Sequence, residues 1–396
     1  MNLLALNGGS SSLKFALYQA EPGATPGEAR FRGAVARLGP EARAAFTVGR
    51  CVGESNAVQA PDQAAALALV LAWLQTQGVA RIDAVGCRVV HGGAHFTAPA
   101  LIDDAVLAAI SAASALAPLH NAPALAVIAA LRAARGDATP IVAAFDTAFH
   151  RTLPPYAATY AIPYALSERH GIRRFGFHGL AHRALAGRYA ALSGKTLVGT
   201  RLITLQLGNG CSAAAVADGR SVETSMGLTP LEGLMMGTRA GDVDPALVGI
   251  LARAEGVDVA EVERWLNERS GLLGVSGVSA DMRAVLAVAQ QGDQRAALAV
   301  EMFCYRARRT IGAYLAVLGG ADAIVFGGGI GEHQAEVRAR ICAEMTWCGL
   351  ALDPLRNAAG GEGCVSATDA PLRAYIAATD EEAVIATDTL YVLAGR

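Results

Sequence analysis

Apolar residues come in short runs along this chain, and the first runs predict a strand, a turn and a second strand. Leu3 to Leu6 and Leu13 to Tyr18 have the length of strands, and the small polar turn between them is Asn7-Gly8-Gly9-Ser10-Ser11-Ser12. The same plan returns about 200 residues later, where a strand from Leu202 to Leu207 is followed by Gly208-Asn209-Gly210-Cys211-Ser212 and a strand from Ala213 to Ala217. The repeat predicts two related α/β domains with a ligand cleft between them.

Further elements follow from the length and period of the apolar runs. Strands are predicted at 83–90, 141–145 and 323–326. Helices are predicted at 64–75, about 105–115, 123–135, 258–270, 293–318 and from about 382. The helix at Asp258 has a glutamate three residues later, which is typical of a capping box.

Composition narrows the class of protein. A chain of 396 residues is longer than one core usually serves, so two domains are expected. Because 53% of the residues are hydrophobic and 17% charged, the chain can bury a large core. A net charge of −2 gives no electrostatic attraction towards nucleic acid or an anionic membrane. Seven scattered cysteines without a C-x-x-C pair indicate unpaired thiols in a reducing compartment.

No targeting or membrane segment is expected. The first residues, MNLLALNGGSSSLKF, are too short and polar for a signal peptide. The longest apolar run, at 64–74, is shorter than the roughly 20 residues that a spanning helix needs. A cytoplasmic protein is therefore predicted.

Three glycine-rich turns are candidate phosphate sites, because backbone N–H groups can surround a phosphate only where no Cβ intrudes. They lie at 7–12, 208–212 and 327–332, each directly after an apolar strand. A single turn of this kind would be weak support for a binding site, whereas three exceed what chain reversal requires. Gly194-Lys195-Thr196 resembles the end of a P-loop, but Tyr189 stands where that motif needs glycine.

Charged candidates lie at strand ends and in glycine-flanked loops. Arg88 ends an apolar strand, and Arg239 lies in Gly237-Thr238-Arg239-Ala240-Gly241. Such arginines suit bidentate binding of carboxylate or phosphate, although most arginines lie on the surface. Asp146 follows a strand and could bind the waters of magnesium, act as a base or orient an arginine. Asp281 could serve chemistry or cap a helix.

The histidines fall in local motifs, and their spacing fits no common zinc pattern. They are His91, His120, His150, His178 and His182. His178, between aromatic residues and glycines in RRFGFHG, could donate to a phosphoryl oxygen or pack in the core.

Taken together, these motifs resemble the acetate kinase family, within the superfamily of actin, the 70-kDa heat-shock chaperones and sugar kinases. The resemblance runs nearly end to end and is most specific between Thr224 and Pro245. It is carried by the segments LNGGSSSLKF, CRVVHGG, APLHNAPAL, FDTAFH, RRFGFHG, LGNGCS, TSMGLTPLEGLMMGTRAGDVDP, FGGGIGEH and TDEEAVIATDT.

The resemblance implies an α/β fold of two duplicated actin-like, ribonuclease H-like ATPase domains with a nucleotide cleft between them. The N-terminal domain would take residues 1–148 and the final helix 382–396, and the C-terminal domain residues 149–381. The implied reaction is reversible, direct in-line transfer of the ATP γ-phosphoryl group to acetate, giving acetyl phosphate and ADP. Mg²⁺ is the implied metal, with Mn²⁺ as a second candidate, and a homodimer is the implied assembly.

The resemblance also assigns roles to matched residues. The implied catalytic residues are Asp146, His178, Arg239, Arg88, Asn209 and His120. Arg88 would also bind the carboxylate, next to an acetate pocket of Val90, Leu119, Phe177 and Pro230. The nucleotide would contact Ser10, Ser12, Lys14, Gln206, Leu207, Gly208, Asn209, Gly210, Asp281, Met282, Arg283, Gly329, Ile330, Gly331, Glu332 and His333. Asn7 and Glu381 would support the metal.

One implied role differs from what the chemistry favours. Asp146 matches the aspartate often described as a base, but a small alkanoate is already ionised near neutral pH and has no proton to give. An orienting role towards metal-bound water or an arginine is therefore favoured.

The sequence departs from the family pattern at a few positions. Gln206 stands where histidine is usual, and His333 where asparagine is usual. Leu180 and Ala181 replace a Thr-Ser pair, and Ala240 replaces serine. These changes bear on nucleotide affinity and turnover and leave the assigned catalytic residues in place.

Two alternatives remain open. The same chemistry could act on propionate or butyrate, because one extra methylene changes binding by only about 1–3 kcal/mol. A non-enzymatic, ATP-gated interaction protein would instead have a peptide-binding extension or a polymer interface. The sequence ends at Arg396, soon after the final motif, so no such extension is expected.

Overall fold

A computed structural model describes residues 1–9, 11–49, 51–114, 118–136 and 138–395, with the backbone alone for residues 52, 118–120 and 135. The chain forms two compact units. The first unit is Met1–Phe149 together with Asp380–Arg396, and the second is His150–Thr379.

The first unit contains a mixed sheet. Its strands are β1 (Asn2–Gly8), β2 (Ser12–Gln19), β3 (Phe31–Ala36), β4 (Arg43–Val48), β5 (Cys51–Val52), β6 (Asn56–Ala57), β7 (Ala84–Val89), β8 (Ala100–Leu101) and β9 (Ile141–Phe145). The order is β5-β4-β3-β2-β1-β7-β9-β8, with β6 on β4. β1 pairs antiparallel with β2 and parallel with β7, and β7 pairs parallel with β9.

Helices of the first unit cover this sheet. They are α1 (Gln63–Thr76), α2 (Asp104–Ala113), α3 (Pro118–Arg135) and, from the end of the chain, α15 (Glu381–Ala394). β1, β7 and β9 are nearly fully buried, which explains their continuous apolar sequences. α15 packs on these three strands, so its N-terminal residues lie near the ends of β1 and β7.

The second unit contains a smaller sheet and more helices. Its strands are β10 (Arg201–Leu207), β11 (Cys211–Ala217), β12 (Arg220–Thr224), β13 (Ala323–Gly327), β14 (Gly363–Cys364) and β15 (Arg373–Ile376). Its helices are α4 (Pro155–Ala158), α5 (Tyr164–His170), α6 (Gly179–Ser193), α7 (Ala246–Glu255), α8 (Val259–Glu268), α9 (Gly271–Ser276), α10 (Met282–Gln290), α11 (Gln294–Leu318), α12 (Gly328–His333), α13 (Ala335–Cys342) and α14 (Pro354–Ala359).

The two sheets share one plan. In the second unit the order is β12-β11-β10-β13-β15-β14. An antiparallel hairpin, β10 and β11, is followed across the sheet by the parallel strands β13 and β15. The order β12-β11-β10-β13-β15 matches, strand for strand, the order β3-β2-β1-β7-β9 of the first unit. The strand, turn, strand repeat predicted from the sequence is therefore present in both sheets.

Most predicted elements are confirmed within a few residues, and the differences have local causes. The helix predicted from 123 begins at Pro118, where a proline costs no intrahelical hydrogen bond because the first N–H of a helix has no partner. At α8 the Asp258 side chain accepts from the Glu261 amide at 2.8 Å, as predicted. The Glu261 carboxylate accepts instead from Trp265 Nε1 at 2.6 Å. Strands β3, β4 and β12 were not predicted.

Two predictions from composition can be compared with the structure. All seven cysteine thiols are free, and those of Cys87, Cys211, Cys304 and Cys342 are buried. Among the described residues, none of the helices is both long and apolar enough to cross a lipid bilayer.

Candidate active site

A buried ion pair marks the ends of the parallel strands in the first unit. Arg88 on β7 donates through Nη2 to Asp146 Oδ2 at 2.5 Å and through Nε to both carboxylate oxygens at 3.1–3.2 Å. The side chain of Asp146 is 0% exposed and that of Arg88 14%. Burial lowers the pKa of Arg88, but Asp146 and the glutamates Glu381 and Glu382 raise it by more. Arg88 is therefore a permanent cation held in one orientation.

A carboxylate pair lies beside this arginine. Asn7 donates through Nδ2 to Glu381 Oε2 at 2.6 Å and to Glu382 Oε1 at 2.9 Å. Arg88 Nη1 donates to Asn7 Oδ1 at 3.4 Å, which is a long bond. Burial, with Glu381 in support, raises the pKa of Glu382, because two carboxylates are held close together.

This oxygen set fits a magnesium ion that is also bound by phosphates and water. Mg²⁺ prefers one or two carboxylates with several waters over a cage made of protein alone. In the described residues, no group of three or more His, Cys, Asp or Glu side chains could hold a metal. The predicted metal residues Asn7 and Glu381 lie together. Glu382, which lies beside them, was not predicted from the sequence.

The first glycine-rich turn is fixed by the hairpin and by α1. Gly9 N donates to Ser12 O at 2.8 Å, and Gln63 Nε2 donates to Gly9 O at 2.6 Å. Lys14 is exposed on β2 and lies near Glu382. The predicted nucleotide residue Ser10 lies outside the described residues.

The loop after β7 is tied down by two buried polar side chains. Asn121 accepts from His91 N at 2.9 Å and donates to His91 O at 3.0 Å, and Thr147 Oγ1 accepts from Gly92 N at 3.1 Å. Val90, from the predicted acetate pocket, is buried at the start of this loop. The side chains of Leu119 and His120 lie outside the described part of the chain.

In the second unit, an arginine and a histidine converge on the turn between β10 and β11. A Cβ added at Gly210 would lie 2.6 Å from Arg239 Nη2 and 3.2 Å from His178 Nε2. A side chain at this position would push the Arg239 guanidinium aside, so glycine lets both groups approach the chain. The predicted residues Gly208, Asn209, Gly210, His178 and Arg239 thus form one cluster in this unit.

His178 is held in a strained backbone conformation by its neighbours. Its φ of 58° lies in the left-handed region, which is uncommon for a residue with a side chain. His150 fixes the preceding residue, because its Nε2 donates to Phe177 O at 3.0 Å. Burial lowers the pKa of His150 to about 4, so its imidazole is neutral at pH 7. Phe177, from the predicted acetate pocket, is buried.

A network behind the loop 225–233 holds Arg239 in place. Arg239 Nη1 donates to Pro230 O at 2.6 Å. Glu232, on the same loop, accepts from Arg174 Nη2 at 2.6 Å and from the Tyr160 hydroxyl, which itself accepts from Leu228 N at 2.8 Å. Sequence reasoning missed Arg174, Glu232 and Tyr160, because their sequence positions give no sign of the contact.

The turn between β13 and α12 is closed by a glutamate. Glu332 Oε1 accepts from Gly328 N at 3.1 Å and from Thr379 N at 3.0 Å. Thr379 Oγ1 donates to Gln206 Oε1 at 3.0 Å, so Gln206 is part of this network. Gly328 has φ 74°, and a Cβ there would lie 2.5 Å from Leu207 O. The turn can therefore pack on β10 only with glycine.

The remaining nucleotide candidates lie at helix ends of the second unit. Asp281 caps α10 through the Arg283 amide at 2.9 Å and pairs with the Arg283 side chain at 2.5 Å. The hydrogen bond from Arg283 holds the pKa of Asp281 below its usual range. Gly329, Ile330, Gly331, Glu332 and His333 lie in α12. The buried Arg338 fixes this helix by donating to the carbonyl oxygens of Gly331 and Glu332 at 2.8 and 3.0 Å.

Comparisons with known proteins show the family of this chain. Residues 2–387 match the acetokinase family. The chain is 49% identical over 412 residues to the acetate kinase of Solibacter usitatus, with 100% of this chain and 99% of that protein covered. It is 38% identical to the crystal structure of Porphyromonas gingivalis acetate kinase, with a TM-score of 0.88 and 99% of each chain covered. A propionate kinase structure from Francisella tularensis is 36% identical, with a TM-score of 0.89 and 98% of each chain covered.

Proposed function

The chain belongs to the acetokinase family, and we propose that it catalyses the acetate kinase reaction, in which acetate and ATP give acetyl phosphate and ADP reversibly. It is an enzyme that transfers a phosphoryl group to a carboxylate.

The observation that carries the proposal is the cluster at Gly210. Arg239 and His178 approach a glycine turn so closely that a Cβ would collide with the guanidinium. The phosphoryl transition state spreads negative charge over its equatorial oxygens, so catalysis consists mostly of positioning and neutralising charge. A fixed guanidinium, an imidazole and the backbone N–H groups of a turn are the groups that this chemistry requires.

In the first unit, Arg88 binds the acetate carboxylate and Asp146 holds the guanidinium in place. Arg88 Nε and Nη2 donate to Asp146, whereas Nη1, which donates a long bond of 3.4 Å to Asn7 Oδ1, has a second hydrogen for an anion. Asp146 acts as an orienter in this scheme, because acetate carries no proton for a base to remove near neutral pH. The apolar residues proposed for the methyl group are Val90 and Leu119 in this unit and Phe177 and Pro230 in the second unit.

Asn7 and Glu381 hold Mg²⁺ in this proposal, with Glu382 beside them and Mn²⁺ as an alternative ion. The metal would neutralise charge on the phosphate oxygens when ATP is bound. The geometry that supports the assignment is the convergence of both glutamates on the Asn7 side chain.

In the second unit, Arg239, His178 and Asn209 contact the transferred phosphoryl group, and His120 joins them in the family pattern. ATP binds along the glycine-rich turns. The nucleotide residues are Ser10, Ser12, Lys14, Gln206, Leu207, Gly208, Asn209, Gly210, Asp281, Met282, Arg283, Gly329, Ile330, Gly331, Glu332 and His333. Gln206 supplies a neutral amide where a cation is usual, so less charge stabilisation is expected there.

We also propose a cytoplasmic homodimer. Propionate is a second substrate candidate, because a solved propionate kinase shares 36% identity over nearly the whole chain. An extra methylene costs about 1–3 kcal/mol in a pocket of this kind, so slower turnover of propionate is expected.

The experiment is a hydroxylamine-trapping assay with ATP, Mg²⁺ and, in parallel, acetate, propionate, butyrate and formate. Acyl hydroxamate formed fastest from acetate supports the proposal. A stronger signal from propionate or butyrate moves the substrate and keeps the mechanism. Folded protein that binds ATP and forms no hydroxamate with any acid contradicts the proposal.

A further inference from the structure

A buried chain of hydrogen bonds leads from His178 into the second sheet. His178 Nδ1 lies 2.9 Å from Ser212 Oγ, and Ser212 Oγ lies 2.7 Å from His182 Nε2. His182 Nδ1 lies 2.8 Å from Thr204 Oγ1. Ser212, His182 and Thr204 are each 0% exposed. We call these three side chains the relay.

The fold explains why the relay forms. His182 lies in the first turn of α6, and His178 is the residue just before this helix. Both imidazoles contact Ser212 Oγ. Thr204 lies on β10, and the register pairs Gln206 with Ser212 on β11. Thr204 and Ser212 therefore point from the same face of the sheet, towards α6.

The donor and the acceptor of each hydrogen bond can be assigned by starting from Thr204, the residue of the relay farthest from His178. Thr204 Oγ1 donates to the Ala214 carbonyl at 3.4 Å, which leaves its oxygen to accept from His182 Nδ1–H. A neutral His182 then has an unprotonated Nε2, which accepts from the Ser212 hydroxyl. Ser212 Oγ in turn accepts from His178 Nδ1–H. Every donor of the relay has an acceptor in this arrangement.

The surroundings keep the relay neutral. The pKa of His182 lies well below its usual value, through burial first and then through the neighbouring imidazoles of His150 and His178. The ring centroids of His150 and His182 are 5.7 Å apart. His178 also faces Arg239 across Gly210, and Cys211 beside this turn has a pKa raised by burial to about 12.

We infer that the relay fixes neutral His178 as its Nδ1–H tautomer, so that His178 donates from Nε2 to the transferred phosphoryl group only as an imidazolium. This inference rests on the proposed function. Nε2 is the atom that lies beside the Gly208–Gly210 turn. With a lone pair there, neutral His178 would repel a phosphoryl oxygen. A proton taken from solvent at Nε2 converts it into a donor, while Nδ1–H still donates to Ser212.

Ser212, His182 and Thr204 are therefore positioning residues for the reaction, and His178 is the group that touches the phosphoryl oxygens. Turnover should fall as the pH rises and His178 in the ATP complex loses its proton at Nε2. Ser212 accepts a charge-assisted hydrogen bond from the imidazolium, so Ser212→Ala should move this fall to lower pH by about one unit.

The first test is independent of activity. Protein labelled with ¹⁵N at histidine, with His178→Gln used for assignment, reports which ring nitrogen carries the proton. We expect neutral His178 as the Nδ1–H form in the parent protein. Ser212→Ala should release a population of the Nε2–H form, and Ser212→Thr, which keeps the hydroxyl, should restore the parent spectrum. Neutral His178 in the Nε2–H form in the parent protein would reverse the relay and overturn the inference.

The second test is the pH profile of acetyl phosphate formation. Thr224→Val is the matched control, because it removes another buried threonine hydroxyl of the same sheet, one that donates to Ala213 O at 3.1 Å outside the relay. We expect the high-pH fall in kcat to shift in Ser212→Ala and to stay in place in Thr224→Val. A uniform loss of kcat in Ser212→Ala, with no shift, would overturn the mechanistic part of the inference. Absence of any acetyl phosphate formation by the parent protein would contradict the proposed function, and the tautomer measurement would still decide the relay.

Discussion

In both units a hairpin turn follows the first strand of the sheet, and two parallel strands continue the sheet on the other side. The side chains around the two turns differ in charge. The first unit gathers Asp146, Glu381 and Glu382 around Arg88 and Asn7. The second gathers Arg239, the imidazole of His178 and bare glycine backbone.

This difference teaches that one backbone plan can serve opposite ligands. Excess carboxylate in the first unit favours a cation; in the proposed function this cation is Mg²⁺, and Arg88 binds the acetate carboxylate. The glycine turns and Arg239 of the second unit favour phosphate. The sheet order positions the turns, and the side chains that reach them from other elements decide the ligand.

The strongest way to break the comparison is to remove the buried carboxylate of the first unit. Asp146→Asn removes the carboxylate that contacts the buried Arg88, so we expect a loss of about 3–5 kcal/mol in unfolding free energy. We also expect roughly 10²-fold slower turnover, because Arg88 is no longer oriented. Denaturant unfolding and initial rates measure the two effects.

Asp104→Asn is the control for this change. Its ion pair with Arg132 is surface-exposed, with Asp104 95% exposed, so less than about 0.5 kcal/mol should be lost. Equal effects of the two substitutions would show that the Arg88–Asp146 pair has no special role.

Removing the cation of the second unit should separate chemistry from stability. Arg239→Ala should lower kcat by about 10³-fold or more, because arginine stabilises the charge of the transition state. Its unfolding free energy should change far less than that of Asp146→Asn. Arg264→Ala, which removes an exposed arginine paired with Glu261, serves as the control. Near-normal turnover of folded Arg239→Ala protein would refute the role of Arg239.

Low pH should also destabilise the two units to different extents. Burial lowers the pKa of His150 to about 4, and His182 beside it is also lowered. The unfolded state binds a proton at such a histidine near pH 6.5, and the folded state does not. The free energy of unfolding is therefore at its full value above pH 6.5. It decreases as the pH falls towards 4, by roughly 3 kcal/mol for His150.

The first unit has one comparable histidine, His91, within its described residues, with a pKa lowered by burial to about 4. Hydrogen exchange at pH 7 and pH 5 should therefore show protection lost more strongly in β10–β12 than in β1–β3. His150→Gln should make the acid loss of the second unit shallower. A larger loss in the first unit would contradict the comparison.

The dependence of activity on Mg²⁺ concentration tests the proposed metal site of the first unit. Glu381→Gln removes a carboxylate from the proposed metal site, so the Mg²⁺ concentration for half-maximal activity should rise at least about tenfold. Arg239→Lys should leave that concentration nearly unchanged, because Arg239 lies in the other unit. A titration of activity with MgCl₂ at saturating ATP measures both. An unchanged Mg²⁺ requirement in Glu381→Gln would argue against the assignment.

The smallest expected effect concerns the loop that holds Arg239. Tyr160→Phe removes the hydroxyl that joins Glu232 to the Leu228 amide. We expect the KM for acetate to rise about three- to tenfold with little change in kcat, since two hydrogen bonds of the loop that contains Pro230 are lost. Tyr156→Phe, at a side chain that is 88% exposed, should have no effect. A fall in kcat alone would show that the loop serves the chemical step instead.

The sequence by itself determined the local elements and the residue types of the site. Apolar runs gave the strands Ile141–Phe145 and Ala323–Gly327, because fully buried parallel strands need apolar side chains on both faces. The glycines marked the turns where side chains could not fit. The strands Phe31–Ala36 and Arg43–Val48 escaped prediction, since half-buried strands have a weak apolar pattern.

Only the tertiary structure decided which side chains meet. Asn7 contacts Glu381, 374 residues away, and His178 reaches Ser212 from another element. Asp146 was open to three roles in the sequence, and its 2.5 Å contact with Arg88 favours the orienting one. Such pairs depend on strand order and register, which bring distant positions together. Local patterns of polar and apolar residues do not show which distant positions of the chain come into contact.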